Sequence, residues 1–332
     1  MAASKRLWFV LSIAIFCLGC APSAEMTEAT PTSEESAGGG EALRGTIGVS
    51  LLTLRNPFFT VIGDNIKEEA ARNGYEAMIL DADQDVVKQG NQVKDFIVKN
   101  VSAIVLSPCQ ADSIGPVIRE ANDAGIPVFT VDIPCNLPDV KIACQIATDN
   151  FGGGEEAGRA MIEALGEAGG KVAILHFKQA ESCRLRVAGF MKVINTHNES
   201  SAAKVEVVAE LEGGGAKDIG YKAGEDIMQV HPDLAGIFAI NDPSALGAYA
   251  ALEKAGKADQ VVIVGFDGQP EGKQAIKDGK IYADPIQFPD RMGVQVVQAI
   301  VRHSKGEVLE ENILIPTMLY RQEDAENDPD LR

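Results

Sequence analysis

Basic side chains are in short supply: 30 Lys and Arg stand against 48 Asp and Glu, a formal net charge of −18. Nucleic acid is held by basic patches that neutralise phosphates, so a nucleic-acid partner is excluded. Aromatic residues make up only 5% of the chain, and there is a single tryptophan. The four histidines, at positions 176, 197, 231 and 303, show neither an i, i+4 pair nor another ligand spacing. The four cysteines beyond residue 20, Cys109, Cys135, Cys144 and Cys183, contain no C-x-x-C. A zinc ribbon and a thioredoxin-type redox site are therefore not expected, and neither is any metal or cofactor. Past residue 20 no apolar run is long enough to cross a bilayer. What remains is a globular balance, with 45% hydrophobic and 23% charged residues over 332 positions. That length suffices for two domains with separate cores.

The first twenty residues differ from the rest. Lys5 and Arg6 precede an almost unbroken apolar stretch from Leu7 to Leu18, followed by Gly19 and Cys20. This is the pattern of an export signal. Leu18-Gly19-Cys20 resembles the lipobox of bacterial lipoproteins, which implies lipidation at Cys20 and a membrane-anchored protein of the cell envelope. Residues 21–44 are rich in Ser, Thr, Glu, Pro, Ala and Gly and cannot bury enough apolar surface to fold, so they are expected to tether the body to its anchor. An exported compartment is oxidising. Of the pairings open to the four remaining cysteines, Cys135 with Cys144 is preferred, because the two flank the turn Asn136-Leu137-Pro138.

From residue 45 onward, short apolar runs alternate with segments of helical periodicity. Strands are predicted over 46–52, 77–80, 102–106 and 127–131, with helices over 57–73, 86–99 and 113–124. A second series follows, with helices over 152–165 and 183–196 and strands over 171–175, 205–209, 235–239 and 261–264. Such alternation predicts two doubly wound α/β lobes, each built on a parallel sheet. In open sheets of this kind, ligands sit outside the carboxyl ends of the strands.

Those ends carry a coherent residue set: Asn56, Phe58 and Phe59 after the first strand, Asp132 after the fourth, Arg186, Asn241 and Asp267 in the second series, then Gln287. Carboxylates, amides and guanidinium satisfy hydroxyl pairs with forked hydrogen bonds, and aromatic rings cover C–H faces. The inventory suits a polyol better than a phosphate. Each residue also has a plainer reading. Asp132, Asn241 and Asp267 are of types that cap helices and turns. One of the two adjacent phenylalanines is expected in the core, and Arg186 would suit a surface ion pair.

Asn56-Pro57-Phe58-Phe59, Asp132, Thr148-Asp149-Asn150, Arg184-Leu185-Arg186, the run Asn241 to Ala248 and Val264-Gly265-Phe266-Asp267-Gly268 together resemble the ribose-binding type I periplasmic sugar-binding proteins of ABC importers. The resemblance spans about Gly45 to Leu319. It implies that Asn56, Phe58, Phe59, Asp132, Arg186, Asn241, Asp267 and Gln287 contact a sugar between the lobes. It also implies a membrane permease as partner, a monomer, closure without chemistry, and chain crossings near 147–148, 287–288 and 316. The first lobe would then comprise 45–147 plus 288–316 and the second 148–287 plus 317–325, with 326–332 as a frayed polar tail. Three positions depart from the ribose pattern: Leu52 replaces a Ser, Ile133 replaces an Arg after the aspartate, and Gly215 stands where the second lobe has a Phe. A ribose-shaped site with these changes leaves hydroxyls unpaired, so a different sugar or polyol is expected, a deoxy sugar among the candidates.

Other readings are weaker. Gly152-Gly153-Gly154-Glu155-Glu156-Ala157 formally matches a dinucleotide fingerprint, but Glu155 and Glu156 would repel a pyrophosphate. Cys183 with His176 is the only pairing that suggests nucleophilic catalysis. A repressor of the same fold would begin with a helix-turn-helix. A sensor subunit that presents its ligand to a chemoreceptor or kinase would share the pocket and differ only in its partner.

Overall fold

The computed structural model describes residues 44–331. The first series runs β1 (Gly45–Leu51), α1 (Pro57–Arg72), β2 (Tyr75–Asp81), α2 (Val86–Val98), β3 (Ala103–Leu106), α3 (Gly115–Asp123), β4 (Val128–Val131) and β5 (Cys144–Thr148). The second runs α4 (Asn150–Leu165), β6 (Gly170–His176), α5 (Glu181–Ser200), β7 (Val205–Glu212), α6 (Lys217–Val230), β8 (Leu234–Ala239), α7 (Asp242–Lys254), β9 (Val262–Val264), α8 (Pro270–Lys277) and β10 (Ala283–Ile286). The chain ends with α9 (Pro289–Ser304), β11 (Asn312–Ile315), β12 (Met318–Arg321) and α10 (Gln322–Asn327).

Two six-stranded sheets result, ordered β11-β5-β4-β3-β1-β2 and β12-β10-β9-β8-β6-β7. All pairings are parallel except β10 with β12. In each sheet the order reverses beside the first strand of the lobe, between β1 and β3 and between β6 and β8. Crevices open at such switch points.

The inner strands β1, β3 and β4 read as apolar runs because both faces are covered, whereas the edge strands β2 and β7 carry the exposed Glu76, Glu206 and Glu210. In β3, Ala103 and Val105 face a core shared with α1 and α9, while Ile104 and Leu106 face one shared with α2 and α3. Successive side chains point to opposite faces, so four residues feed two cores. At Gly48 a β-carbon would lie 2.5 Å from the ring of Phe96, so β1 has glycine where α2 presses its largest side chain onto the sheet.

The chain crosses between the sheets three times: at Thr148 to Asn150, at Gln287 to Phe288, and at Pro316 to Thr317. Asp149 caps α4 by accepting from the Gly152 amide at 2.9 Å, and Thr317 Oγ1 donates to Glu156 Oε2 at 2.7 Å. Two of the three crossing segments are thus tied to the start of α4.

Two expectations are corrected. Cys135 and Cys144 are unpaired. Cys144 faces the α1 and α9 core, Cys135 the α2 and α3 core, and the sheet stands between them. The acidic end is also ordered through Leu331. Ala325 is buried, and Asp328 Oδ2 accepts from Tyr320 Oη at 2.7 Å and Lys273 Nζ at 3.0 Å. The hydrogen bond from Tyr320 holds the Asp328 carboxyl down at about 2. Cys20 and the tether up to residue 43 lie outside the described residues.

Candidate functional site

Asp132, Asn241, Asp267 and Gln287 stand just past strand ends, Asn56, Phe58 and Phe59 at the start of α1, and Arg186 within α5. Asn56 caps α1, its Oδ1 accepting from the Phe58 amide at 3.0 Å. Phe59 turns into the core at 5% exposure, while Phe58 stays half-buried, edge-on to it at 5.3 Å. Asn241 caps α7 through Oδ1 to the Ser244 amide at 3.0 Å, and its Nδ2 donates to the Gly215 carbonyl at 3.1 Å. The capping reading therefore holds for Asn241, and Asn56 caps its helix in the same way.

Arg186 is not the surface residue its type suggests: it is only 5% exposed. Its Nη1 donates to Asp267 Oδ1 at 2.7 Å and to the Ile240 carbonyl at 2.7 Å, and its Nε donates to Asn150 Oδ1 at 2.9 Å. The guanidinium carbon sits 3.8 Å from the centre of the buried Phe266 ring. Removing one partner of such a buried pair leaves an uncompensated buried charge, so the pair is costly to break from either side.

Asp267 Oδ1 also accepts from Gln287 Nε2 at 2.7 Å, Gln287 Oε1 accepts from Thr148 Oγ1 at 2.7 Å, and Asn150 Nδ2 donates to the Thr148 carbonyl at 3.1 Å. These bonds close a ring through Thr148, Gln287, Asp267, Arg186 and Asn150. Two of the crossing segments are therefore wired to the charged pair. Thr148 and Asn150 appear in the sequence motifs, but nothing in their spacing reveals that they orient Gln287 and Arg186.

Asp132 comes from the first lobe. It holds a left-handed backbone at φ 63°, which is costly for a residue with a β-carbon and aims the carboxylate off the end of β4. Burial pushes its carboxyl up to about 6, the Arg186 cation pulls it down, and the Asp267 charge pushes it up again. The first-lobe aspartate thus feels the second-lobe pair directly. Asn136 Nδ2 donates to Glu181 Oε2 at 3.3 Å, a further link between the lobes. The arrangement offers carboxylates, amides and a guanidinium to hydroxyl groups.

Behind Asp267 lies a second acidic pair that the sequence reading missed. Asp242 is 1% exposed and Asp284 fully buried. The Gln269 amide donates to Asp242 Oδ2 at 2.6 Å. With both acids ionised, Asp242 Oδ1 and both Asp284 oxygens lack partners. One proton shared between them supplies the missing bond. Burial, with Asp284 alongside, holds the Asp242 carboxyl well above its ordinary range, and burial pushes Asp284 up to about 6. Gly265 and Gly272 make the space: β-carbons there would lie 2.4 Å from Asp284 Oδ1 and 1.9 Å from Asp242 Oδ1.

The features that suggested an enzyme have other uses. Burial raises the Cys183 thiol, the opposite of an activated nucleophile. His176 Nδ1 accepts from the Phe177 amide at 2.8 Å, and burial keeps its ring neutral. Gly153 and Gly154 let α4 approach Phe266 and α5: β-carbons would lie 2.6 Å from the Phe266 ring and 2.0 Å from the Arg186 carbonyl oxygen.

Two parallel-sheet lobes crossed three times, with a polar site where their switch points meet, define a two-lobed binding protein. Residues 47–307 match the model of the periplasmic binding protein domain, and the chain belongs to that family. It is 35% identical over 262 residues to the ribose import binding protein of Salmonella typhimurium, covering 79% of this chain and 86% of that one. The D-apiose import binding protein of Paraburkholderia graminis is 32% identical over 75% of this chain and 78% of its own. A solute binding protein of an ABC transporter from Bacillus halodurans, solved with bound myo-inositol, superposes with a TM-score of 0.74 at 28% identity, over 87% of this chain and 98% of its own.

Proposed function

We propose that this protein is the substrate-binding component of an ABC importer. It captures a neutral sugar or polyol other than ribose between its lobes, closes on it, and delivers it unchanged to a membrane permease. The observation that carries the reading is the ring of Thr148, Gln287, Asp267, Arg186 and Asn150, faced by Asp132 from the other lobe. A ligand that bridges Asp132 to this ring contacts both lobes only when they are closed, and so stabilises the closed state by that difference. The crossings at Thr148, Gln287 and Pro316 serve as the hinge. Two carboxylates against one guanidinium disfavour anionic sugars, and apolar Leu52 and Ile133 favour a ligand with fewer hydroxyls than ribose presents there. The relatives are named as import binding proteins, which supports delivery to a permease over presentation to a receptor. The pattern at Leu18-Gly19-Cys20 supports a monomeric envelope lipoprotein tethered through Cys20.

A thermal-shift screen against pentoses, hexoses, deoxy sugars and polyols tests this. Ligand that binds the folded state raises the midpoint by mass action. The expected result is a selective rise that Asp132→Ala or Asp267→Ala abolishes. Ribose as the tightest ligand would refute the specificity, and no response to any polyol would refute the sugar reading.

A further inference from the structure

The switch point of the second lobe carries an aromatic ring that no motif singles out. Phe177 is the first residue after β6, and Asn241 the second after β8. These are the two strands between which the order of that sheet reverses, the place where open α/β sheets receive ligands. Gly215, in the turn after β7, lies between them. A β-carbon at Gly215 would stand 3.3 Å from Asn241 Nδ2 and 3.9 Å from Phe177 Cδ1. Ring and amide thus flank one bare glycine, whose φ of 64° disfavours a side chain. Phe177 is pinned in place: its amide donates to His176 Nδ1 at 2.8 Å and its carbonyl accepts from the Ala180 amide at 3.2 Å. The ring borders the second lobe's core and is only half-buried. In the first lobe Phe58, the second residue of the helix that follows β1, is likewise half-buried.

We propose that Phe177 is a ligand-contacting, specificity-determining residue: from the end of β6 it gives the second lobe the apolar surface on which the C–H face of the bound sugar lies. The inference rests on the sugar reading above. The space over Gly215, beside the Asn241 amide, stays free for a substituent of the sugar ring, so the position of the aromatic group helps to select the ligand.

Calorimetric titration of the chain with the pentoses, hexoses, deoxy sugars and polyols of the thermal-shift panel, D-allose, D-apiose, D-fucose and myo-inositol among them, identifies the tightest of these probes. Phe177→Leu keeps the apolar volume and removes the π face; it is expected to weaken that probe on the order of tenfold, with little change in the unliganded midpoint, and Phe177→Tyr to restore it. Because Trp8 is the only tryptophan in the sequence, Phe177→Trp in a chain carrying Trp8→Phe places one reporter at the site. Its emission is expected to shift and to saturate with the calorimetric heat, which decides the matter even if the leucine variant folds poorly. Unchanged affinity in Phe177→Leu with unchanged emission in Phe177→Trp overturns the proposal, and loss of binding in Asp267→Ala would then leave the sugar reading standing. No binding of any probe to the unsubstituted chain overturns both.

Discussion

Asp242 and Asp284 set a pH dependence that the exposed charges do not. Both carboxyls are held above their ordinary range by burial, so the folded protein keeps protons that the unfolded chain releases. Stability contributed by a raised carboxyl is complete below the unfolded value of 3.8 and is lost as pH rises through the folded one, about 6 for Asp284. Asp132, also raised to about 6, acts with the same sign. The thermal midpoint is therefore expected to fall between pH 5 and pH 8. Asp284→Asn keeps a hydrogen bond to Asp242 without needing the shared proton. Its midpoint is expected to vary less over that range and to exceed the parent's at pH 8, as scanning calorimetry at the two pH values would show. Arg186 makes the opposite case: Arg186→Met leaves Asp267 buried without its cation, at a cost of about 3–5 kcal/mol, read as a lower denaturation midpoint. The types of the candidate residues, and for most of them their places after strand ends, were legible in the sequence. Their wiring was not, because Asn150 and Gln287 meet Arg186 and Asp267 only after separate strands are brought side by side.

At the level of elements, α4 and α5 form the tightest joint near the site. Gly154→Ala would press a methyl group against the Arg186 carbonyl, which lies 2.0 Å from the position it would occupy. Overpacking of this kind costs about 1–3 kcal/mol. Because the displaced helix carries Arg186, ligand affinity is expected to fall more than chemical-denaturation stability. Phe96→Ala, on the far side of the first sheet, is expected to do the reverse: to cost about 3–5 kcal/mol and leave affinity nearly unchanged. The strands of the two series up to β9, β5 apart, were legible because most of them are short apolar runs, whereas α8, β10 and β11 were not read from the sequence. Cys144–Thr148 was not legible, since Gln145 interrupts it, and neither was the short, partly exposed β12. The cysteine pairing failed because closeness in sequence does not say which face of a sheet each thiol takes. The acidic end misled because its anchors, Tyr320 and Lys273, belong to other elements.

For the whole molecule, the hinge reading has a measurable outcome. Small-angle scattering is expected to show a smaller radius of gyration with saturating ligand than without, and Asp267→Ala to remove the difference. The interleaving of the lobes also governs when the protein folds. The first sheet lacks its edge strand until Asn312–Ile315 are made, and the second until Met318–Arg321. Neither half has all its strands until almost the whole chain has left the ribosome. A chain stopped after Gln287 would expose the edges of β5 and β10, and such edges invite aggregation. Pairings this distant in sequence form slowly. The same order of assembly that binds the lobes together is expected to hold the new polypeptide short of its folded state until its last strands are made, which is the condition a chain must meet to be threaded across a membrane.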